Sequence, residues 1–252
     1  MQAVSGRVLL LDDAAAINEL LARELSTQLQ CDVTALASVE ALCALDDAPF
    51  DVALVDLAYA SSPLTGLDAL LRLNTEAPQC RLAVLTQGDE WVADMLRDAW
   101  EAFPLATALS KSTPTGALLD AVRRLLAGED VPPDPVLQPL LPTVRSPWRS
   151  LDAYGALILH AGHAKLWRAL VTCPDQPSYR DVAEHVGLTV NTIRNYREQL
   201  LGPLALHGLQ HPSMHEMQEF ARRCRPLLRP HVDARLARAG LRPAPGPDAA
   251  PR

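Results

Sequence analysis

The sequence predicts an α/β fold, a doubly wound five-stranded parallel sheet, followed by an all-α domain. In the first half, short apolar runs that end in acidic or polar residues alternate with amphipathic stretches. The intervals between the runs are long enough for crossover helices, which is typical of buried parallel strands. A proline-rich stretch follows, and beyond it every periodic segment has helical spacing.

The elements of the first half follow from the apolar runs and the stretches between them. We expect strands at 7–11, 31–36, 51–55, 81–86 and 105–109. We expect helices at 14–29, 38–47, 66–76, 88–101 and 114–127. Gly128 stands where a glycine would end the last of these helices. The first domain is therefore predicted to span residues 1–128.

The stretch 129–149 contains six prolines between Pro132 and Pro147. Because proline lacks the backbone N–H, we expect an extended, semi-stiff linker. The sequence leaves open whether its apolar residues pack on a domain. A helical domain is predicted over 150–240, with helices at 150–161, 163–172, 178–186, 189–201, 213–225 and 230–239. The Pro- and Ala-rich tail 241–252 is predicted to be disordered.

Charge divides the chain in the same way. Residues 1–150 hold 10 basic and 21 acidic residues, a net charge of −11, whereas residues 151–252 hold 13 and 9, a net charge of +4. An acidic half joined to a basic half suggests a regulatory module and a polyanion-binding module. Five cysteines without CxxC spacing, no signal peptide and no apolar run of membrane-spanning length predict a cytoplasmic protein that does not enter a membrane.

Polar residues end four of the apolar runs: VLLLDD (Asp12, Asp13), VALVD (Asp56), LAVLT (Thr86) and LATALSK (Lys111). Since ligands of open α/β sheets bind at the carboxyl ends of the strands, these side chains should meet at one rim. Clustered carboxylates need a hard cation such as Mg²⁺, and one carboxylate could then become an aspartyl phosphate. Lys111 and Thr86 could bind the phosphoryl oxygens.

Each residue alone has a simpler interpretation. Asp13 could cap the following helix, Asp56 could lie in a loop, and Lys111 could be a solvated charge. Their occurrence together, in this order and at strand ends, favours the shared site.

These residues resemble the receiver domain of bacterial two-component response regulators, over about residues 5–128. The resemblance implies that Asp56 accepts a phosphoryl group from a histidine kinase, that Lys111 pairs with this group, and that Thr86 moves toward it. The implied Mg²⁺ ligands are Asp13 directly, Asp12 through water, Asp56 and the backbone carbonyl of Ala58. The chain departs from the pattern at Ala108, where the family usually has Tyr or Phe. The loop between Asp56 and Gly66 is also about two residues longer than usual.

The stretch 178–201 has the pattern of a helix-turn-helix. Gly187 permits a tight turn, and Thr189 is a suitable N-cap for a second helix. Polar side chains at the start of such a helix can contact bases and phosphates in a major groove. The candidate DNA-binding residues are Thr189, Asn191, Thr192, Arg194, Asn195 and Glu198. An ordinary helical hairpin with a solvated polar face is the alternative.

Residues 178–201 resemble the LuxR-type helix-turn-helix of many response regulators, although Arg197 falls where an apolar residue is more usual. The two resemblances together imply a phosphorylation-controlled transcription factor that binds double-stranded DNA. Since one helix spans only a few base pairs, we expect a homodimer on DNA, and we expect the protein not to be an enzyme. A phospho-responsive adaptor whose helical domain binds a protein is the alternative. A phosphatase-like enzyme with the same aspartate chemistry has little support, because nothing beyond the site suggests a substrate pocket. The arginines from Arg222 to Arg242 suit either a solvated helix face or added phosphate contacts.

Overall fold

The computed structural model describes residues 6–45, 50–60 and 62–241, and it forms two compact units, Met1–Arg145 and Ser146–Arg252. The predicted tail lies outside the described residues, except for Leu241.

The first unit is a parallel sheet with helices between its strands. The strands are β1 Arg7–Leu11, β2 Asp32–Leu36, β3 Val52–Val55, β4 Arg81–Thr86 and β5 Thr107–Ser110. The helices are α1 Ala15–Leu29, α2 Val39–Cys43, α3 Gly66–Glu76, α4 Glu90–Ala102 and α5 Thr115–Leu126. The strand order is β2-β1-β3-β4-β5, and every pairing is parallel, which confirms the predicted doubly wound sheet.

The sheet is buried because its strands are apolar on both faces. Strands β3 and β5 are buried along their whole length, and β1 is buried from Val8 onward. On one face, α1 and α5 cover the sheet with an apolar cluster that includes Leu25, Val122 and Leu125. This rigid, dry layer fixes where the chain leaves each strand, and so it fixes the positions of the polar residues that follow.

The second unit is helical. Its helices are α6 Ala161–Thr172, α7 Tyr179–Val186, α8 Val190–Leu206, α9 Met214–Arg223 and α10 Arg225–Arg238. Trp167, Tyr154 and Phe220 fill its core. The α-helix predicted over 150–161 is instead a 3₁₀ helix, Leu151–Leu157. The next helix starts after His160, whose ring accepts hydrogen bonds from the backbone N–H groups of Gly162 and His163 and so caps it.

Among the residues that the structure describes, no helix combines the length and the apolar character that crossing a membrane requires.

Candidate functional site

Two neighbouring strands of the first unit deliver the central carboxylates. Asp12 follows β1 and Asp56 follows β3, and their backbones continue the hydrogen bonding of the sheet. The amide of Asp12 donates to the carbonyl of Leu36 at 3.0 Å, and the amide of Asp56 donates to the carbonyl of Leu11 at 2.9 Å. In this strand order, β1 and β3 flank the point where the direction of winding reverses, which is where open α/β sheets bind ligands.

Lys111 joins the two carboxylates. Its Nζ lies 2.7 Å from Asp12 Oδ2 and 2.8 Å from Asp56 Oδ2. Its backbone amide donates to the carbonyl of Thr86 at 2.9 Å, so the last residue of β4 is bonded directly to the residue that follows β5. The Thr86 side chain is buried at the same rim. The structure therefore brings Asp12, Asp56 and Lys111 into contact and places Thr86 at the end of the neighbouring strand.

Burial and charge act in opposite directions on the ionisable groups. Burial raises the pKa of Asp56, although the hydrogen bond and charge of Lys111 lower it and Leu57 N–H donates to its Oδ1 at 2.8 Å. Burial lowers the pKa of Lys111, but its bonds to Asp12 and Asp56 outweigh burial and leave that pKa raised. Lys111 is thus an ammonium at neutral pH, and it neutralises part of the acidic cluster.

Asp13 completes the cluster from the exposed side. Carboxylate oxygens of Asp12, Asp13 and Asp56 all lie within 4.8 Å of one another. Three hard oxygen donors with one open side fit Mg²⁺, which keeps several of its waters. Asp13 Oδ2 accepts a 2.8 Å hydrogen bond from the amide of Ala60. Ala58 lies half-buried in the same loop, after Asp56.

Two residues at this rim were missed by the sequence reasoning. Asn18, buried on α1, donates from Nδ2 to the carbonyls of Asp12 and Leu36, both at 3.0 Å, and so clamps the ends of β1 and β2. Tyr59 donates from its hydroxyl to the carbonyl of Leu11 at 3.2 Å. Burial and the neighbouring carboxylates raise the pKa of Tyr59. Asn18 could have been found from the sequence, because it is an asparagine at a core-facing position of an apolar helix. No feature of the sequence singles out Tyr59.

The helix-turn-helix forms a second candidate site, in the helical unit. Gly187 ends α7 with a φ of 73°, in the left-handed region, and the amide of Leu188 donates to the carbonyl of Ala183 at 2.9 Å. Thr189 caps α8, because its Oγ1 accepts from the amide of Thr192 at 3.2 Å. The inner face is closed by buried Val182, Ala183, Ile193 and Leu200.

The predicted DNA-binding residues lie on the outer face of α8, and some of their side chains also contact other residues of the helical unit. Asn191, Arg194, Asn195 and Glu198 are exposed. The Arg194 guanidinium lies 5.6 Å from the ring centroid of Tyr179, and Glu198 is paired with Arg197 at 2.8 Å. The hydroxyls of Thr189 and Thr192 bond to each other at 2.9 Å, so these two threonines serve the helix start.

Arg197, which stands where an apolar residue is more usual, is hydrogen-bonded within the helical unit. Its Nε donates to the carbonyl of Pro212 at 2.6 Å, and this bond ties α8 to the chain just before α9. Arg222 likewise donates to the carbonyl of Cys173 at 2.8 Å. These two arginines are therefore partly committed to holding the helical unit together.

Comparisons with known proteins give only structural matches. No family model matches the chain, and no curated protein matches it. Response regulator DrrB of Thermotoga maritima is 19% identical, with a TM-score of 0.43, over 50% of this chain and 55% of DrrB, so the match spans about half of that relative.

Two further solved structures are similar. The RcsB response regulator of Salmonella typhimurium is 15% identical, with a TM-score of 0.44, over 86% of this chain and 98% of RcsB. A LuxR-family two-component response regulator from Aurantimonas sp. is 21% identical, with a TM-score of 0.45, over 53% of this chain and 92% of that chain. These three solved structures are response regulators.

Proposed function

We propose that the protein is a response regulator in which Asp56 accepts a phosphoryl group from a histidine kinase and the helical unit binds double-stranded DNA. The phosphoacceptor role rests on one observation. Lys111 Nζ lies within 2.8 Å of a carboxylate oxygen of both Asp12 and Asp56, where the direction of winding of the sheet reverses. This arrangement supports a role as a phosphoacceptor rather than as an enzyme with its own substrate.

The residues have separate roles in the transfer. Mg²⁺, held by Asp12, Asp13, Asp56 and the carbonyl of Ala58, would neutralise the carboxylates and the phosphoryl oxygens. An Asp56 oxygen forms the new bond to phosphorus while the bond from phosphorus to the donor atom breaks, and the donor leaves with that electron pair. Lys111 then turns from the carboxylate to the phosphoryl oxygens as a positive charge.

Mass measurement of the intact chain tests the phosphoacceptor. With acetyl phosphate and Mg²⁺ the parent protein should gain one phosphoryl group, and Asp56→Asn should gain none. Asp32→Asn, which changes an exposed acid at the start of β2, should behave like the parent. Covalent phosphate on Asp56→Asn would overturn the assignment, and so would labelling of the parent that needs no Mg²⁺.

The DNA-binding part rests on the exposed outer face of α8. Asn191, Arg194 and Asn195 present amide and guanidinium groups that suit base edges, and this half of the chain carries a net charge of +4. One such helix spans only a few base pairs, so we infer that the active species is a homodimer on two half-sites. Five free cysteines agree with a reducing compartment, and we propose the cytoplasm.

Titration of duplex DNA at two salt concentrations tests this part. Neutralisation of several phosphates predicts a steep fall of affinity as salt rises. Absence of binding, or binding that does not depend on salt, would overturn DNA recognition and favour the adaptor, whose helical unit binds a protein.

A further inference from the structure

Residues 131–145, here named the strap, lie against the outer edge of the sheet. After α5 the chain returns along β5, where Thr107 Oγ1 donates to the carbonyl of Pro132 at 3.1 Å. The amide of Asp134 donates to the carbonyl of Ala108 at 2.8 Å. Because β5 is an edge strand, the bond to Ala108 occupies a backbone carbonyl that would otherwise be open to another chain.

The strap also contacts the two loops that follow Thr86 and Lys111. Asp134 accepts a hydrogen bond from the hydroxyl of Thr113, two residues after Lys111. Leu137 is fully buried and fills the space beside Gly88, two residues after Thr86. A Cβ on Gly88 would lie 2.5 Å from Leu137 Cδ2, and the φ of +80° at Gly88 favours glycine there.

The far end of the strap is anchored on α4. The Arg145 guanidinium lies 4.6 Å from the ring centroid of Trp100. Its Nη2 donates to the carbonyl of Leu105 at 2.9 Å. Arg145 is the last residue of the first unit, so every residue of the helical unit follows the strap in the chain.

We propose that the strap transmits the phosphorylation state of Asp56 to the rest of the chain. It contacts the loops after Thr86 and Lys111 in the unphosphorylated protein, and it loosens when these two residues turn to a phosphoryl group. This inference rests on the proposed phosphorylation. The backbone bond between Lys111 and Thr86 already ties the two loops, so both move together when one moves. The strap holds each loop by one contact, through Asp134 and Leu137. Because the strap is also bonded to β5, it cannot follow the loops and keep both contacts when they shift.

A purely structural role for the strap predicts a different behaviour. A static cover of the β5 edge would be held equally in both states, because its bonds to Thr107 and Ala108 do not involve the acidic cluster. The response of the strap to activation therefore separates transmission from simple edge protection.

Hydrogen exchange of the full chain tests the proposal, with and without beryllofluoride and Mg²⁺. The amides of Asp134, Leu137, Gln138 and Leu140 are hydrogen-bonded and should exchange about tenfold faster or more in the beryllofluoride state. In the same samples, mass analysis of the acetyl phosphate reaction reports whether Asp56 accepts a phosphoryl group.

A substitution in the strap tests its contact with the two loops in the absence of phosphorylation. Leu137→Ala should speed exchange in the loops after Thr86 and Lys111 several-fold, because the buried contact is lost. Val136→Ala is the matched control in the neighbouring position, since Val136 is 62% exposed, and it should leave both loops unchanged.

Each result has a definite meaning. Faster strap exchange on activation, with loosened loops in Leu137→Ala, supports transmission. If Asp56 is phosphorylated but the strap exchanges equally in both states, the strap proposal is overturned while the proposed function stands. If Asp56 accepts no phosphoryl group, the proposed function fails and transmission fails with it, and Leu137→Ala then reports only whether the strap stabilises the loops.

Discussion

The backbone amide of Asp134 donates a 2.8 Å hydrogen bond to the carbonyl of Ala108, so the chain closes the edge of its own sheet at the position where the resembled family usually has an aromatic residue. Ala108 is fully buried. The strap is therefore bonded to the backbone of β5 at a position whose side chain has no access to solvent.

A larger side chain at position 108 should disrupt that arrangement. We expect Ala108→Phe to lower the free energy of unfolding by about 1–3 kcal/mol, because Ala108 is fully buried and the ring has no space unless the surrounding core moves. Urea unfolding measures the change, and Ala117→Phe, on the exposed side of α5, is the control. Unchanged stability of Ala108→Phe would show that the site can expand freely.

Magnesium should stabilise the protein through the carboxylate cluster. We expect millimolar Mg²⁺ to raise the melting temperature of the parent by a few degrees, since a ligand that binds only the folded state shifts the unfolding equilibrium. Asp13→Asn should lose most of this gain, whereas Asp32→Asn should keep it. Thermal melts with and without Mg²⁺ measure both, and an equal gain in Asp13→Asn would argue against Asp13 as a ligand.

Removal of the Lys111 charge should strengthen cation binding. Its ammonium lies within 2.8 Å of Asp12 and Asp56 and competes with Mg²⁺ for the same oxygens. We therefore expect Lys111→Met to bind Mg²⁺ about three- to tenfold more tightly, while its yield of phosphorylated Asp56 falls. Titration calorimetry gives the affinity, and weaker Mg²⁺ binding would contradict this electrostatic account.

Base recognition should depend on Arg194. Arg194→Ala should weaken binding to the preferred duplex by roughly 1–3 kcal/mol and relax base preference there. Arg238→Ala, at the exposed end of α10, should weaken all duplexes about equally and slightly lower the salt dependence. Binding assays on matched and scrambled duplexes separate the two effects. Parent-like binding by Arg194→Ala and Asn195→Ala would exclude α8 as the reading helix.

The helical unit should lose stability in mild acid through His207. Burial, with the charges of Arg149 and Arg223, lowers the pKa of His207 to about 4, and its ring lies 4.6 Å from Tyr154. Unfolding frees the ring to take a proton near its ordinary pKa of about 6.5. Protons therefore favour the unfolded chain, and stability should fall by roughly 2–3 kcal/mol as the pH drops from about 6.5 to about 4.

Substitution isolates this effect. His207→Phe should flatten the fall between pH 6.5 and pH 4, measured by urea unfolding, while His215→Gln changes an exposed histidine and should leave it intact. The same slope in His207→Phe and the parent would assign the acid sensitivity to other groups. His163 is one such group, because burial also lowers its pKa to about 4.

Much of the first unit could be predicted because its polar site residues stand at the ends of its strands. Asp12, Asp56, Thr86 and Lys111 each end an apolar run, and parallel strands present their carboxyl ends at one rim. The helical unit was less predictable at its start, where 3₁₀ turns replace the helix expected over 150–161. Helical periodicity identifies an apolar stripe, but it does not distinguish a 3₁₀ from an α-helix over so short a segment.

The sequence by itself determined the order of buried strands and helices, the acidic rim and the polar face after Thr189, because periodicity and strand-end position are local properties of the chain. Only the tertiary structure decided that Lys111 pairs with both Asp12 and Asp56, and that the proline-rich segment docks as far as Arg145. A proline-rich segment has no hydrophobic periodicity that would indicate the surface on which it packs. Its course depends on the space beside Gly88 that Leu137 fills and on the edge groups of β5, which exist only once the sheet has formed.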